Sequence, residues 1–180
     1  VTTPYVDDRE DPASLLTLAA RENARLIYLA NPDNPMGSWW RAEVVQDMIA
    51  NLSQGALLML DEAYGEFAPE VTLPPLDVSN PNVLRFRTFS KAYGMAGMRL
   101  GYAIGHQDLI KAFDRIRNHF GVTRMAQAAG LAALADQEHL RSVVAQVHAA
   151  REAIAQIARS HQLSPLPSAT NFVSIDCGRD

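Results

Sequence analysis

The stretch Val83–Gly105, VLRFRTFSKAYGMAGMRLGYAIG, decides the fold. It holds two strand-forming runs, Val83 to Phe89 and Leu100 to Ile104, around a polar, glycine-bearing connection. Working back along the chain, Ala56 to Leu60 is a continuous apolar run that ends in DEAY (Asp61 to Tyr64). Leu26 to Ala30 is another, ending in NPDNPMG (Asn31 to Gly37). Short runs that are apolar throughout read as strands buried in a sheet. The segments between them are helical. Asp11 and Pro12 form a cap and first turn for a helix reaching about Ala24, and Val44, Val45, Met48, Ile49 and Leu52 line one face of a second. Helices are expected at about 107–118, 122–135 and 137–161, the last with Leu140, Val143, Val144, Val147, Ile154 and Ile157 on one stripe. Phe172 to Ile175 is a final strand candidate, and the proline-bearing stretches 69–81 and 165–167 read as loops. The alternation predicts an α/β fold, a mostly parallel sheet with helices on both faces.

Composition narrows the function. With 180 residues, 48% of them apolar, the chain is long enough to bury a real core. A net charge of −4 argues against a nucleic-acid backbone binder, and no run of about 18 apolar residues is present to span a membrane. The single cysteine, Cys177, rules out a disulfide framework and fits a reducing, cytoplasmic setting. The five histidines have no metal-ligand spacing, so no metal site is expected. ALLMLDE has the look of an ATPase's acidic strand, but no G-x-x-x-x-G-K-[ST] loop accompanies it, and no G-x-S-x-G elbow occurs.

In a parallel sheet, ligands sit outside the carboxyl ends of the strands, so the residues there carry the information. They are Asn34 after the first strand, Asp61 and Tyr64 after the second, and Thr88, Ser90 and Lys91 after the third, with Arg99 at the entry to the fourth. Singly, each has a bland reading: Asn34 a turn, Asp61 a cap, Tyr64 a packed ring, and the glycines tight bends. Together they are harder to dismiss. Of the 16 basic residues only Lys91 and Lys111 are lysine, a scarcity that codon bias also explains. Lys91, between Phe89 and Tyr93 at a strand end, is expected to be buried, which favours the neutral amine that forms a Schiff base; Lys111 reads as an ordinary surface charge. The set matches the handles of pyridoxal 5'-phosphate. Asp61 suits the ring nitrogen, Asn34 and Tyr64 the phenolic oxygen, and Ser90, Thr88 and Arg99 the phosphate. Trp39 and Trp40 either face a substrate or pack in the core or against another subunit.

The motifs NPDNPMG, LDEAYGEF and RTFSKAYGMAGMRLGYAIG, in this order, resemble the class I/II aminotransferases of fold type I, the aspartate aminotransferase-like pyridoxal phosphate enzymes, and above all the histidinol-phosphate aminotransferase branch. The resemblance covers essentially the whole chain, and the steps from Asp61 to Tyr64 and from Lys91 to Arg99 are as that family spaces them. It implies that Lys91 carries the cofactor as a Schiff base and moves the proton in catalysis. It implies Asp61 at the pyridine nitrogen, Asn34 and Tyr64 at the phenolic oxygen, and Ser90 and Arg99 at the phosphate, with Thr88 a further candidate there. The strand at Leu100 to Ile104 should then run antiparallel to its neighbours. Residues 1–135 would be the central part of a large cofactor-binding domain, 136–163 a long linking helix and 164–180 the start of a small C-terminal domain. The implied activity is transfer of an amino group between an amino acid or amino-phosphate donor and a 2-oxo acid, in a cytoplasmic homodimer.

Two departures stand out. Met36 occupies a position where the family commonly has threonine. The family also extends further at both ends, supplying an aromatic that stacks on the ring and an arginine that grips the substrate carboxylate; Arg179 comes too early to be that arginine. The chain therefore looks like part of a longer subunit whose N-terminus is a processed end or a cut. Rival readings are a decarboxylase of the same fold, like threonine-phosphate decarboxylase, and the aminotransferase-like sensor domain of a transcription regulator.

Overall fold

The computed structural model describes residues 1–178; Arg179, set aside above, lies outside the described residues. Four strands form one sheet in chain order: β1 (Leu26–Ala30), β2 (Leu57–Asp61), β3 (Val83–Thr88) and β4 (Gly101–Gly105). The first three are parallel, and β4 runs antiparallel to β3, with Thr88 opposite Gly101 and Leu84 opposite Gly105. Helix α1 (Pro12–Arg21) leads into β1, and α2 (Ala42–Ala50) makes the crossover from β1 to its parallel neighbour β2. Asp11 caps α1 through the Ser14 amide at 3.1 Å, with Pro12 in the first turn.

Strand periodicity sorts the side chains. Ile27, Leu29, Leu58 and Leu60 face one side, where they bury against Ala19 of α1 and Val45 and Met48 of α2. Leu26 and Tyr28 face the other side and are 61% and 50% exposed, so β1 is covered on one face only by the described residues. On that open side β4 presents Gly101, Ala103 and Gly105. Gly101 is there for space, because a Cβ would stand 2.9 Å from the Arg87 carbonyl oxygen.

Three further helices, α3 (Gln107–Phe113), α4 (Arg124–Ala135) and α5 (Gln137–Ser160), follow the sheet. The expected helix over 107–118 stops at Phe113, because the turns around Asp114 to Gly121 close through i+3 bonds such as Ile116 N–H to the Phe113 carbonyl. The apolar stripe of α5 holds Leu140, Val144 and Val147 against Tyr64, Phe67 and Ala92. Gly130 lets α4 approach the sheet's end, where a Cβ would meet Leu100. Past α5, Ser164–Pro165 (β5) and Ile175–Asp176 (β6) form a short antiparallel pair. The expected strand over Phe172 to Ile175 therefore forms only at its last residue, since Phe172 is drawn off to pack edge-on against Tyr64, ring centroids 5.5 Å apart. Pro165, expected in a loop, sits in this pair. No helix among the described residues is long and apolar enough to cross a membrane.

Candidate active site

Five of the seven expected residues line one open cavity of about 440 Å³ at the carboxyl ends of β2 and β3: Asp61, Thr88, Ser90, Lys91 and Arg99. The other two adjoin it. The Asn34 Nδ2 donates to the Tyr64 hydroxyl at 3.1 Å, and the Lys91 Nζ stands 5.0 Å from the centroid of the Tyr64 ring. The sheet register explains the convergence, since Asp61 lies opposite both Ala30 and Phe86, and the three loops leave from neighbouring strand ends.

Each side chain is held by identifiable contacts. Asp61 accepts the Tyr28 hydroxyl at 2.8 Å on Oδ2 and the Ala63 N–H at 2.9 Å on Oδ1. Tyr64 is buried, fixed between Phe172 and the α5 stripe. Asn34 sits in a loop tied by the buried Asn31, whose Oδ1 accepts the Trp40 amide at 2.8 Å and whose Nδ2 reaches the Trp40 and Thr72 carbonyls. Asp33 accepts the Met36 N–H and the Tyr5 hydroxyl, and burial raises its carboxyl above the usual range. The Asn31–Pro32 and Asn34–Pro35 peptide bonds are cis.

The loop from Phe89 to Leu100 is a hairpin closed by the Phe89 N–H on the Leu100 carbonyl at 3.1 Å. Within it the Gly94 N–H returns to the Lys91 carbonyl, and the fully buried Ala92 anchors the segment. Lys91 itself is half-buried, which corrects the expectation of a buried lysine: the loop plants Ala92 in the core and turns Lys91 to the open cavity. Thr88 is engaged locally, its Oγ1 accepting the Ser90 N–H at 3.0 Å and approaching the Leu100 carbonyl at 3.4 Å. Arg99 is exposed and adopts a left-handed backbone with φ 51°, sparsely populated by non-glycine residues and common at functional sites; its Nη1 rests on the Ala96 carbonyl at 2.9 Å.

The donor set fits pyridoxal phosphate. The cavity combines a carboxylate for a cationic ring nitrogen, a primary amine for an aldehyde, and a hydroxyl with a guanidinium for a dianionic phosphate, while the Asn34–Tyr64 pair offers N–H and O–H donors to a phenolate.

Three contributors escaped the sequence reading. Tyr28 grips Asp61, but it lies in a run read as wholly apolar. Glu62, 0% exposed, pairs with Arg85 and Arg87 of β3, the latter through Nε at 3.0 Å, and so joins the ends of β2 and β3. Phe172 braces Tyr64 from a distant segment. The two tryptophans do not line the cavity. Trp40 packs on the core beside α2 and donates to the Glu10 carbonyl at 2.7 Å, while Trp39 lies with Leu166 and Pro167.

Residues 8–180 match the family model described as aminotransferase class I and II. Among curated proteins, histidinol-phosphate aminotransferase 1 of Mesorhizobium japonicum is 40% identical over 176 residues, covering 95% of this chain and 48% of its own length. Histidinol-phosphate aminotransferase of Geobacillus thermodenitrificans is 37% identical over 180 residues, covering 98% and 49%. The crystal structure of histidinol-phosphate aminotransferase from Sinorhizobium meliloti in complex with pyridoxal-5'-phosphate superposes with a TM-score of 0.98 at 55% identity, over 100% of this chain and 50% of that one. The chain thus spans about half the length of the relatives it matches.

Proposed function

The chain belongs to the class I and II aminotransferase family, and from that membership we propose that the complete protein is a pyridoxal phosphate-dependent transaminase of the histidinol-phosphate aminotransferase kind, moving an amino group between an amino acid or amino-phosphate donor and a 2-oxo acid. The observation that carries this reading is the convergence of Asp61, Ser90, Lys91 and Arg99 on one cavity, with the Asn34–Tyr64 pair beside it.

In this reading Ser90 and Arg99 bind the phosphate, Asn34 and Tyr64 donate to the phenolic oxygen, and Thr88 holds the Ser90 amide in place. Asp61 keeps a proton on the ring nitrogen. Pyridoxal phosphate, when bound, supplies an electron sink for negative charge developing at the substrate carbon. When the cofactor is bound, Lys91 would be the amine that holds its aldehyde carbon and, once freed by the substrate's amine, the base that takes the proton from the substrate carbon and the acid that delivers it to the former aldehyde carbon. Its half-buried setting over the Tyr64 ring leaves the Nζ open to the cavity. The division into a large-domain part (1–135), a linking helix (136–163) and the start of a small domain (164–180) belongs to the same reading, as do a homodimer and a cytoplasmic setting. The exposed Ile116, Phe120, Met125 and Leu131 support a further surface covering them.

The test uses the full-length protein. It should turn yellow with pyridoxal phosphate, borohydride should attach the cofactor's mass to the peptide holding Lys91, and an amino-donor screen should release a 2-oxo acid or another carbonyl product. A protein that stays colourless with added cofactor overturns the proposal.

A further inference from the structure

Among the described residues, Asp61 has one donor on each oxygen. The Ala63 N–H, at 2.9 Å on Oδ1, is part of the backbone turn that follows β2. The Tyr28 hydroxyl, at 2.8 Å on Oδ2, comes from another strand. Tyr28 pairs with Met59 across β1 and β2, so its ring lies on the same face as Asp61 and one step behind it along the strands. Two donors from independent elements define the plane of a carboxylate, where one would leave it free to rotate. We infer that Tyr28 is a positioning residue for the reaction: it acts through Asp61, holding that carboxylate's orientation towards the cofactor's ring nitrogen. The inference rests on the function proposed above.

The chemistry of the surroundings supports it. Burial, then the hydrogen bond and charge of Asp61, with smaller contributions from Glu10 and Asp33, push the Tyr28 phenol well above its ordinary range, so the hydroxyl stays a donor. Among the described residues the hydroxyl has no hydrogen-bond partner but Asp61, and the half-exposed ring lies outside the core cluster beneath β1.

The experiment compares full-length wild type, Tyr28→Phe, Asp61→Asn and the double variant. Pyridoxal phosphate affinity is read by fluorescence titration, the bound cofactor by its visible absorption, and turnover by steady-state kinetics. Tyr28→Phe should weaken cofactor binding about tenfold, in line with a hydrogen bond to a charged group, and lower kcat with little change in KM. It should also alter the visible band and leave the thermal midpoint near that of wild type. In the Asp61→Asn background the same change should alter affinity by less than about twofold, since the charge that Tyr28 serves is gone. Equal affinity and spectrum in wild type and Tyr28→Phe overturn the inference while leaving the transaminase reading standing, as does a Tyr28→Phe effect of the same size in both backgrounds. A wild type that binds no pyridoxal phosphate overturns both.

Discussion

The Arg87 Nε donates to the Glu62 Oε2 at 3.0 Å, which clamps the chain one residue beyond Asp61 to the strand that leads into Lys91. Arg85 adds a second cation to the same carboxylate, and Glu62 and Arg85 are both buried. Glu66, 3.9 Å from the Arg87 guanidinium, has its carboxyl raised by burial. Arg87 belongs both to this clamp and to the wall of the cavity, so the ion cluster ties the two strand ends that carry the site's parts.

Glu62→Gln should cost about 3–5 kcal/mol of stability, because it leaves the buried cation of Arg85 without a carboxylate and takes the nearer one from Arg87. Urea denaturation checks this, and a loss within about 0.5 kcal/mol, the range of an indifferent surface change, would contradict it.

The β3–β4 contact depends on an absent side chain. Gly101→Ala sets a Cβ 2.9 Å from the Arg87 carbonyl and should destabilise by about 1–3 kcal/mol. Gly97→Ala, where nothing lies within 4 Å, should stay within about 0.5 kcal/mol of wild type. Equal midpoints for the two variants in thermal melts would show that β4 has room to shift.

Asp11→Ala removes the cap of α1 and should cost about 1 kcal/mol. The Asp11 carboxyl is held below its ordinary value first by the Ser14 hydroxyl and then, against slight desolvation, by backbone amides. A depressed carboxyl stabilises the fold above the unfolded chain's value and loses that contribution as pH falls through the folded one. The gap between wild type and variant should therefore close in acid, as urea midpoints across the acidic range will show.

Glu10 behaves in the opposite sense. Burial raises its carboxyl from 4.5 to about 7, opposed by the Ala30 N–H at 2.9 Å and reinforced by Asp33 and Asp61. Between these values the folded chain keeps a proton that the unfolded chain gives up, so this stabilisation is complete below 4.5 and lost as pH rises through about 7. Glu10→Gln keeps an acceptor for Ala30 and should flatten the fall in stability from weak acid to neutrality, measured by urea midpoints. An unchanged slope would exclude Glu10 as its source.

Arg99→Lys should weaken pyridoxal phosphate binding about tenfold in the full-length protein, since a lysine loses the guanidinium's forked contact with a phosphate. Fluorescence titration reads the change, and an unaltered affinity would remove Arg99 from the proposed phosphate site.

The legible part of this molecule lay in short-range pattern. The strand-forming runs located all four strands of the main sheet, and most of the polar residues just after the parallel ones meet at the cavity, because a parallel sheet aligns its carboxyl ends. The antiparallel course of β4 came from the likeness of the motifs and not from periodicity. Tyr28 was hidden because tyrosine passes for an apolar residue in a strand that is open on one face. The partners of Glu62 depend on which residue of β3 lies beside the end of β2, a register that no local spacing states. Phe172 reaches Tyr64 only through the path of α5. Lys91 was misjudged in burial because solvent access depends on the tertiary path of a loop.

The hairpin between Phe89 and Leu100 has a wider consequence. Ser90, Lys91 and Arg99 ride on one strap whose two ends are sewn into adjacent strands and whose middle is pinned by Ala92 on Tyr64 and Phe67, so the three share one frame. Such a strap is a module. Grafted between two antiparallel strands of another sheet with the same end geometry, it would carry its amine and its guanidinium across together. An insertion within it would separate the two while leaving the sheet intact.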